Sequence, residues 1–246
     1  MFYILPEREF KHLDSDGYFT NEFGIAKDVA FRPKDDFHYE ARLISWCNST
    51  FIDPKKDFVD VGAHIGTWTW VCGAKANKTY AFECNNEVYN CLCANLYLKN
   101  LSSKVIARKC GLSNRSNQKM TYYKRSLDGG GNGLAAIHPS DGNAPTDTVD
   151  VFRLDDFNLD NVGFLKLDVE GYEREVLEGA QNTLSANNFP PFVFESWPPS
   201  KEREGVPAIK LREELFAYID SIGYNIIPIS GCTEQFLAEY RRDDTS

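Results

Sequence analysis

Four acidic residues lie at or beside the C-terminal ends of apolar segments that have the pattern of buried β-strands: Asp60, Glu83, Asp168 and Glu195. In an open α/β sheet the carboxyl ends of parallel strands meet at one edge, and ligands bind outside that edge. Carboxylates placed there can accept hydrogen bonds from ligand hydroxyls, remove a proton from a reacting group or coordinate a cation. An apolar sheet does not need four acids at its edge, so the sequence predicts a polar ligand-binding site.

The first of these acids belongs to a strand–turn–helix pattern. Residues 58–61 are β-prone, Gly62 and Gly66 form a turn, and the apolar segment 65–76 is compatible with a helix. Glycines let the backbone turn sharply and let a ligand approach with no Cβ in the way. The pattern predicts the opening of a Rossmann-like βαβ unit.

The spacing of this turn narrows the class of ligand. A dinucleotide fingerprint needs a third glycine and a phosphate-binding P-loop needs a lysine after its last glycine, but neither follows Gly66. Asp60 disfavours an anionic pyrophosphate and favours a cationic ligand that carries an amino acid. The D-x-G-x-x-x-G order resembles the first motif of S-adenosylmethionine-dependent methyltransferases. The alternative is a glycine turn that serves another ligand in an α/β fold.

Two further strand ends extend the expected donor site. Residues 79–83 form a second predicted strand, whose final Glu83 either accepts hydrogen bonds from ribose hydroxyls or is a solvated strand-end carboxylate. Residues 104–109 form a third, and backbone groups of its exit loop would border the adenine. The predicted donor-binding residues are Asp60, Gly62, Ala63, His64, Gly66, Thr67, Glu83, Cys84, Cys110, Gly111, Leu112 and Asp168.

Composition excludes some classes of protein. The 246 residues suit one decorated α/β domain, and the net charge of −9 disfavours a broad nucleic-acid-binding face. The seven cysteines are odd in number and include no C-x-x-C pair, so we expect buried free thiols in a reducing compartment. No signal-peptide pattern and no candidate membrane span are evident. The expected location is therefore the cytoplasm.

The remaining segments predict the domain organisation. Residues 1–40 are expected to form an N-terminal extension or cap, and residues 41–246 a Rossmann-like domain. The glycine-rich segment 128–133 is either a loop that orders over substrate or a plain solvent loop. A further strand over 149–154 and one helix over 172–184 are also expected. The last two predicted strands, residues 224–229 and 236–240, form a terminal antiparallel hairpin.

Seven segments together resemble the FkbM-type methyltransferases. The most specific is Lys166-x-Asp168-Val169-Glu170-Gly171, and the resemblance covers about residues 55–200. It implies a class I methyltransferase fold with a seven-stranded, mostly parallel sheet and a terminal antiparallel hairpin. It also implies S-adenosylmethionine as donor and O-methylation of an acceptor, often a sugar or polyketide, without fixing that acceptor. The segments are Phe58–Thr69, Phe82–Glu83, Gly111–Ser113, Leu154–Phe157, Phe164–Glu173, Val176–Ala180 and Phe194–Glu195.

Methyl transfer to oxygen requires alignment of donor and acceptor and removal of the hydroxyl proton. Asp168 is the first candidate base, because its strand is expected beside the first one, and it could instead bind the donor or a metal. Glu170 is the second candidate, or it caps the following helix. Lys166 lies on the same strand face as Asp168 and either pairs with a buried acid or polarises the acceptor hydroxyl. Glu195 completes the set of catalytic candidates.

Other interpretations remain open at this point. Asp168, Glu195 and His138 could hold a divalent cation that orients two acceptor hydroxyls, but no adjacent Asp-Asn pair follows Asp168, so a metal is not favoured. The chain could also be a non-catalytic binding module with the donor fold, or an NAD-dependent sugar oxidoreductase, against which the missing third glycine argues. The favoured partner is a small-molecule or glycan acceptor.

Overall fold

The computed structural model describes residues 12–13, 19–20, 37–124, 133–134, 145–199, 201–203, 205–230 and 234–242. Its centre is a seven-stranded sheet of order β3-β2-β1-β4-β5-β7-β6. Strands β1 to β5 are parallel to one another, and β7 is antiparallel to both of its neighbours, β5 and β6. The predicted mostly parallel sheet with a terminal antiparallel hairpin is therefore confirmed. The strands are β1 (Asp57–Val61), β2 (Thr79–Phe82), β3 (Val105–Arg108), β4 (Val162–Leu167), β5 (Phe192–Glu195), β6 (Tyr224–Pro228) and β7 (Gln235–Tyr240).

Helices follow the strands as expected for an α/β fold. All five residues of β1 are buried, because a central parallel strand is covered on both faces. Asn85 begins the helix after β2, and its side-chain oxygen accepts hydrogen bonds from the backbone N–H groups of Glu87 and Val88. No helix among the described residues is both long and apolar enough to cross a membrane. The helices are α1 (Phe37–Thr50), α2 (Thr67–Lys75), α3 (Asn86–Leu98), α4 (Glu173–Glu178), α5 (Gln181–Ala186) and α6 (Ala208–Ser221), with a 3₁₀ turn at Leu154–Phe157.

The prediction of one helix over residues 172–184 was wrong, because the chain breaks into α4 and α5 around Gly179. A Cβ at Gly179 would collide with the backbone carbonyl of Ser113. The backbone of the segment after β3 thus approaches this point so closely that only glycine fits. The break therefore coincides with a tertiary contact that only glycine allows.

The chain between β3 and β4 forms a separate three-stranded sheet. Thr146–Phe152 pairs antiparallel with Gln118–Tyr123 and parallel with Gly111–Leu112. The strand predicted over residues 149–154 therefore exists, but it lies outside the main sheet. At the end of this hairpin where the chain leaves for the connecting segment, the N–H of Lys124 donates to the carbonyl of Pro145 at 2.8 Å. We call the pair Gln118–Tyr123 and Thr146–Phe152 the inserted hairpin.

Two short antiparallel strand pairs lie outside both of these sheets. His12–Leu13 pairs antiparallel with Phe19–Thr20, and Glu202–Arg203 pairs antiparallel with Val206–Pro207. The predicted N-terminal extension over residues 1–40 is described only at the first of these pairs and at the start of α1, so its boundary stays a prediction. His138 and residues 128–132 lie outside the described residues, and the roles suggested for them also stay predictions.

Candidate active site

The ends of four neighbouring strands are level with one another. Across the sheet, Val61 pairs with both Phe82 and Leu167, and Leu167 pairs with Phe194. The next residue on each strand therefore falls at the same edge of the sheet. Those four residues are Gly62, Glu83, Asp168 and Glu195. The structure thus brings together the glycine turn and three of the four acids singled out in the sequence.

Gly62 is required by the protein's own backbone. It has a φ of 77°, and its N–H donates to the carbonyl of Phe82 at 3.0 Å. A Cβ at this position would collide with the backbone carbonyl of Asp168. The sharp turn expected at this glycine is present, whereas ligand approach, the other reason expected for it, stays a prediction. The close neighbour is the strand that carries Asp168.

The rest of the turn leads into α2. The N–H of Gly66 donates to the carbonyl of Ala63 at 2.9 Å, and Gly66 has a φ of 99°. Thr67 then begins α2, and no side chain caps that helix start among the described residues. Because the first N–H groups of a helix lack intrahelical partners, this end can bind an anionic group.

Glu83 joins the glycine turn to the start of α3. Its Oε2 accepts a hydrogen bond from the N–H of His64 at 2.9 Å, and its Oε1 accepts one from the N–H of Asn85 at 2.7 Å. Burial raises the pKa of Glu83, and these hydrogen bonds partly offset the effect. Since a carboxylate has about four acceptor sites, it can bind further hydroxyl groups.

Asp60 lies beneath the turn and is fully buried. Its Oδ2 accepts a hydrogen bond from the hydroxyl of Thr69 at 2.5 Å, and its Oδ1 is 3.6 Å from Nζ of Lys166. Burial raises the pKa of Asp60, and Lys166 acts against this. Its contacts connect β1 with α2 and β4, so any influence on a donor is exerted through the turn.

Asp168 lies at the open edge, and its side chain is 31% exposed. Burial raises its pKa, but the Lys166 ammonium and a hydrogen bond with Glu195 outweigh that effect, so the pKa of Asp168 is lowered. Burial and the nearby charge of Asp168 raise the pKa of Glu195. The pair is thus an ionised Asp168 next to a protonated Glu195.

Glu170 forms the turn after Asp168. It has a φ of 55°, and its Oε2 accepts hydrogen bonds from Nε1 of Trp197 and Nζ of Lys201, each at 3.2 Å. Burial, followed by the charge of Asp168, raises the pKa of Glu170. These hydrogen bonds tie the Glu170 side chain, which follows Asp168 in the chain, to Trp197 and Lys201.

Carboxylate oxygens of Asp168, Glu170 and Glu195 lie within 4.8 Å of one another. Lys201 is 3.2 Å from Glu170, and Lys166 is 3.3 Å from Asp168. These ammonium groups already supply the positive charge that a cation would bring. We therefore assign no metal to the cluster.

The residues expected around the adenine lie between the main sheet and the inserted hairpin. Cys110 and Leu112 are buried in the main core, while Cys84 packs against Tyr122 and other hairpin residues. Burial raises the pKa of Cys84 well above its usual range and that of Cys110 to about 12, so neither thiol is a ready nucleophile. The backbone of Gly111 pairs with Val151. Contact of these residues with adenine stays a prediction.

Two supporting residues were not identified from the sequence. Glu173 is 3% exposed, and its Oε1 accepts hydrogen bonds from the N–H groups of Val169 and Gly171 at 3.1 and 3.3 Å. Burial raises its pKa to about 8. Thr69 is the second, through its bond to Asp60. An acid two residues after a glycine turn could have pointed to Glu173 in the sequence. A threonine within an apolar helix carries no such signal, so Thr69 could not have been identified.

Comparison with known proteins identifies a consistent set of relatives. The family model of the methyltransferase FkbM domain matches residues 60–226. The hexuronic acid methyltransferase AglP of Haloferax volcanii is 31% identical, over 53% of this chain and 52% of its own length. Methyltransferase 1 of Beauveria bassiana is 30% identical, over 65% of this chain and 73% of its own. The chain therefore spans about half of the first relative and about three quarters of the second.

One solved structure shares the architecture of this chain at low sequence identity. An rRNA methylase from Clostridium thermocellum superposes with a TM-score of 0.51 at 9% identity, covering 86% of this chain and 100% of its own. A methyltransferase FkbM from Methylobacillus flagellatus gives a TM-score of 0.48 at 18% identity, covering 77% of this chain and 44% of its own. The first of these likenesses concerns the architecture alone.

Proposed function

Because the chain belongs to the FkbM methyltransferase family, we propose that it transfers the methyl group of S-adenosylmethionine to a hydroxyl of a sugar or other small polyhydroxy acceptor. Family membership supports methyl transfer as the reaction class. The observation that carries the finer proposal is the level alignment of Gly62, Glu83 and Asp168 at one edge of the sheet. Under this proposal a donor-binding turn, a hydrogen-bond acceptor for the ribose and a proton acceptor would lie next to one another.

The donor side follows from the contacts of the turn. The Glu83 carboxylate would accept hydrogen bonds from the ribose hydroxyls, since it is buried and already oriented by two backbone N–H groups. The uncapped start of α2 at Thr67 would bind the carboxylate of the donor's amino-acid part. Cys84, Cys110, Gly111 and Leu112 would border the adenine.

The acceptor side follows from the environment of Asp168. The acceptor oxygen attacks the methyl carbon, the carbon–sulfur bond breaks with its electron pair remaining on sulfur, and the hydroxyl proton passes to the Asp168 carboxylate. The products are the methyl ether and S-adenosylhomocysteine. The lowered pKa keeps Asp168 ionised at neutral pH but makes it a weaker base. Its main contribution would therefore be to orient the hydroxyl and to accept its proton late in the reaction.

A sugar acceptor is supported by the relative whose name specifies hexuronic acid methyl transfer. The Asp168–Glu195 pair also suits a polyhydroxy compound, because one ionised and one protonated carboxyl can accept from and donate to neighbouring hydroxyls.

The test is calorimetry with S-adenosylhomocysteine and with NAD, followed by mass spectrometry of neutral sugars and hexuronic acids incubated with S-adenosylmethionine. We expect saturable S-adenosylhomocysteine binding in the micromolar range, roughly −7 to −8 kcal/mol, and one methylated sugar class. Binding of NAD alone would indicate an oxidoreductase. Binding of S-adenosylhomocysteine with no methylated product would favour a binding module.

A further inference from the structure

The ammonium group of Lys166 lies among three oxygens from the two sides of the candidate active site. Its Nζ donates to the carbonyl of Gly62 at 2.6 Å and lies 3.3 Å from Oδ2 of Asp168. It also lies 3.6 Å from Oδ1 of Asp60. An ammonium group has three protons and can direct one at each of these oxygens, but the 3.6 Å to Asp60 is an ion-pair distance and not a hydrogen bond. With 7% of its side chain exposed, Lys166 is poorly placed to reach an acceptor hydroxyl.

These contacts join two strand ends that already touch. The N–H of Asp168 donates to the carbonyl of Val61 at 3.1 Å, so β4 leaves the sheet directly beside the glycine turn. The carbonyl of Gly62 points at Lys166, which orients the peptide that follows Gly62. The Asp168 carboxylate meets the same ammonium group from the acceptor side. The ammonium group of Lys166 therefore contacts both the proposed base and the turn over residues 62–66, which we call the donor turn.

We infer that Lys166 is a positioning residue that fixes the donor turn and the Asp168 carboxylate in one shared arrangement. This inference rests on the proposed function, since it assumes that the turn binds the donor and that Asp168 faces the acceptor. Lys166 acts through Gly62 and Asp168 and does not itself touch the reacting atoms.

The charge of Lys166 also determines the ionisation of Asp168. The groups that face Asp168 are Lys166 on its own strand, Asp60 on β1, Glu195 on β5, Glu170 and Glu173 on the following turn and helix, and His64 on the donor turn. Burial favours a neutral Asp168, whereas Lys166, followed by the hydrogen bond with Glu195, favours the charged form. Removing the ammonium group should move the pKa of Asp168 upward.

The experiment compares the parent with Lys166→Met and with the double variant Asp60→Asn, Lys166→Met. The double variant removes both buried charges together, which avoids leaving Asp60 unpaired and keeps the test valid if the single variant does not fold. The matched control is Lys75→Met, because Lys75 also donates from a partly buried position to a backbone carbonyl, that of Asn48 at 2.8 Å. Each protein is titrated with S-adenosylhomocysteine, and the Asp168 carboxyl is followed by ¹³C NMR, assigned with Asp168→Asn.

We expect both Lys166 variants to bind S-adenosylhomocysteine about tenfold to a hundredfold more weakly, as for the loss of a charged hydrogen bond. The Asp168 carboxyl should titrate at higher pH in Lys166→Met and by a smaller shift in the double variant, where the loss of the Asp60 charge offsets part of the effect, whereas Lys75→Met should behave like the parent. The inference would be overturned if a folded Lys166 variant bound S-adenosylhomocysteine as tightly as the parent and its Asp168 carboxyl titrated at the same pH. If the parent itself fails to bind S-adenosylhomocysteine, the proposed function fails, and the titration alone decides the role of Lys166.

Discussion

The backbone carbonyl of Asp168 occupies the space that a side chain at Gly62 would need. The donor turn and the strand of the proposed base are therefore in main-chain contact, and no side chain separates them. A substitution at Gly62 would act on the packing of β1 against β4 before it acts on any ligand.

Gly62→Ala should consequently destabilise the fold by more than about 3 kcal/mol, since it combines a positive-φ penalty with a backbone collision. Gly205→Ala is the matched control: Gly205 has a φ of 79°, and among the described residues no atom lies within 4 Å of an added Cβ. That control should cost only about 1 kcal/mol. Urea denaturation without ligand measures both. Equal losses in the free energy of unfolding for Gly62→Ala and Gly205→Ala would show that the collision at Gly62 is relieved without cost.

Glu83→Gln should weaken S-adenosylhomocysteine binding by about 1–3 kcal/mol. The amide retains the size of the carboxyl, but its NH₂ group must face one of the two backbone N–H donors, of His64 or Asn85. It also loses the charge that strengthens bonds to ribose hydroxyls. Calorimetry measures the effect, with Glu87→Gln as a control whose side chain is 48% exposed at the start of α3. An unchanged dissociation constant for Glu83→Gln would place the ribose elsewhere.

Asp168→Asn should retain S-adenosylhomocysteine affinity and lose turnover by about 10²–10⁴. The amide keeps the shape of the side chain but cannot take up the hydroxyl proton. Turnover is measured with the acceptor found by mass spectrometry, and Asp150→Asn on the exposed face of the inserted hairpin is the control. EDTA should leave the parent active. Inactivation by EDTA that one divalent cation reverses would instead make Asp168 a metal ligand.

Glu173→Gln should remove a loss of stability that the parent shows as the pH rises from about 4.5 to about 8. Burial raises the pKa of Glu173 from 4.5 to about 8 in the folded protein. Between those values only the folded state retains the proton, so this residue lowers the free energy of unfolding as pH rises from about 4.5 to about 8. The free energy of unfolding lost through Glu173 over this pH range is about 5 kcal/mol at most. Denaturation at pH 5 and pH 9 should show the parent losing stability relative to Glu173→Gln, and parallel curves would contradict the buried neutral carboxyl.

The strands of the main sheet and the acids at its edge could be predicted from the sequence, because each follows a short apolar segment of strand length. The level alignment of Glu83, Asp168 and Glu195 then follows from parallel pairing. The break at Gly179 could not be predicted, because it depends on the backbone of Ser113, 66 residues earlier in the chain. The bonds from Thr69 to Asp60 and from Lys166 to Gly62 depend on packing between strands and helix, which a local pattern does not contain.

The hydrogen bond from Lys124 to Pro145 has a consequence for how this family could diversify. Because the two ends of the intervening segment are joined at the inserted hairpin, added length there should cost little more than the entropy of closing a longer loop. Gly133 pairs with Tyr123 and Leu134 is buried against Tyr122, so such changes should be tolerated only outside these two residues. Segments of different length could therefore be exchanged there between relatives while the strand pairing of the main sheet is retained.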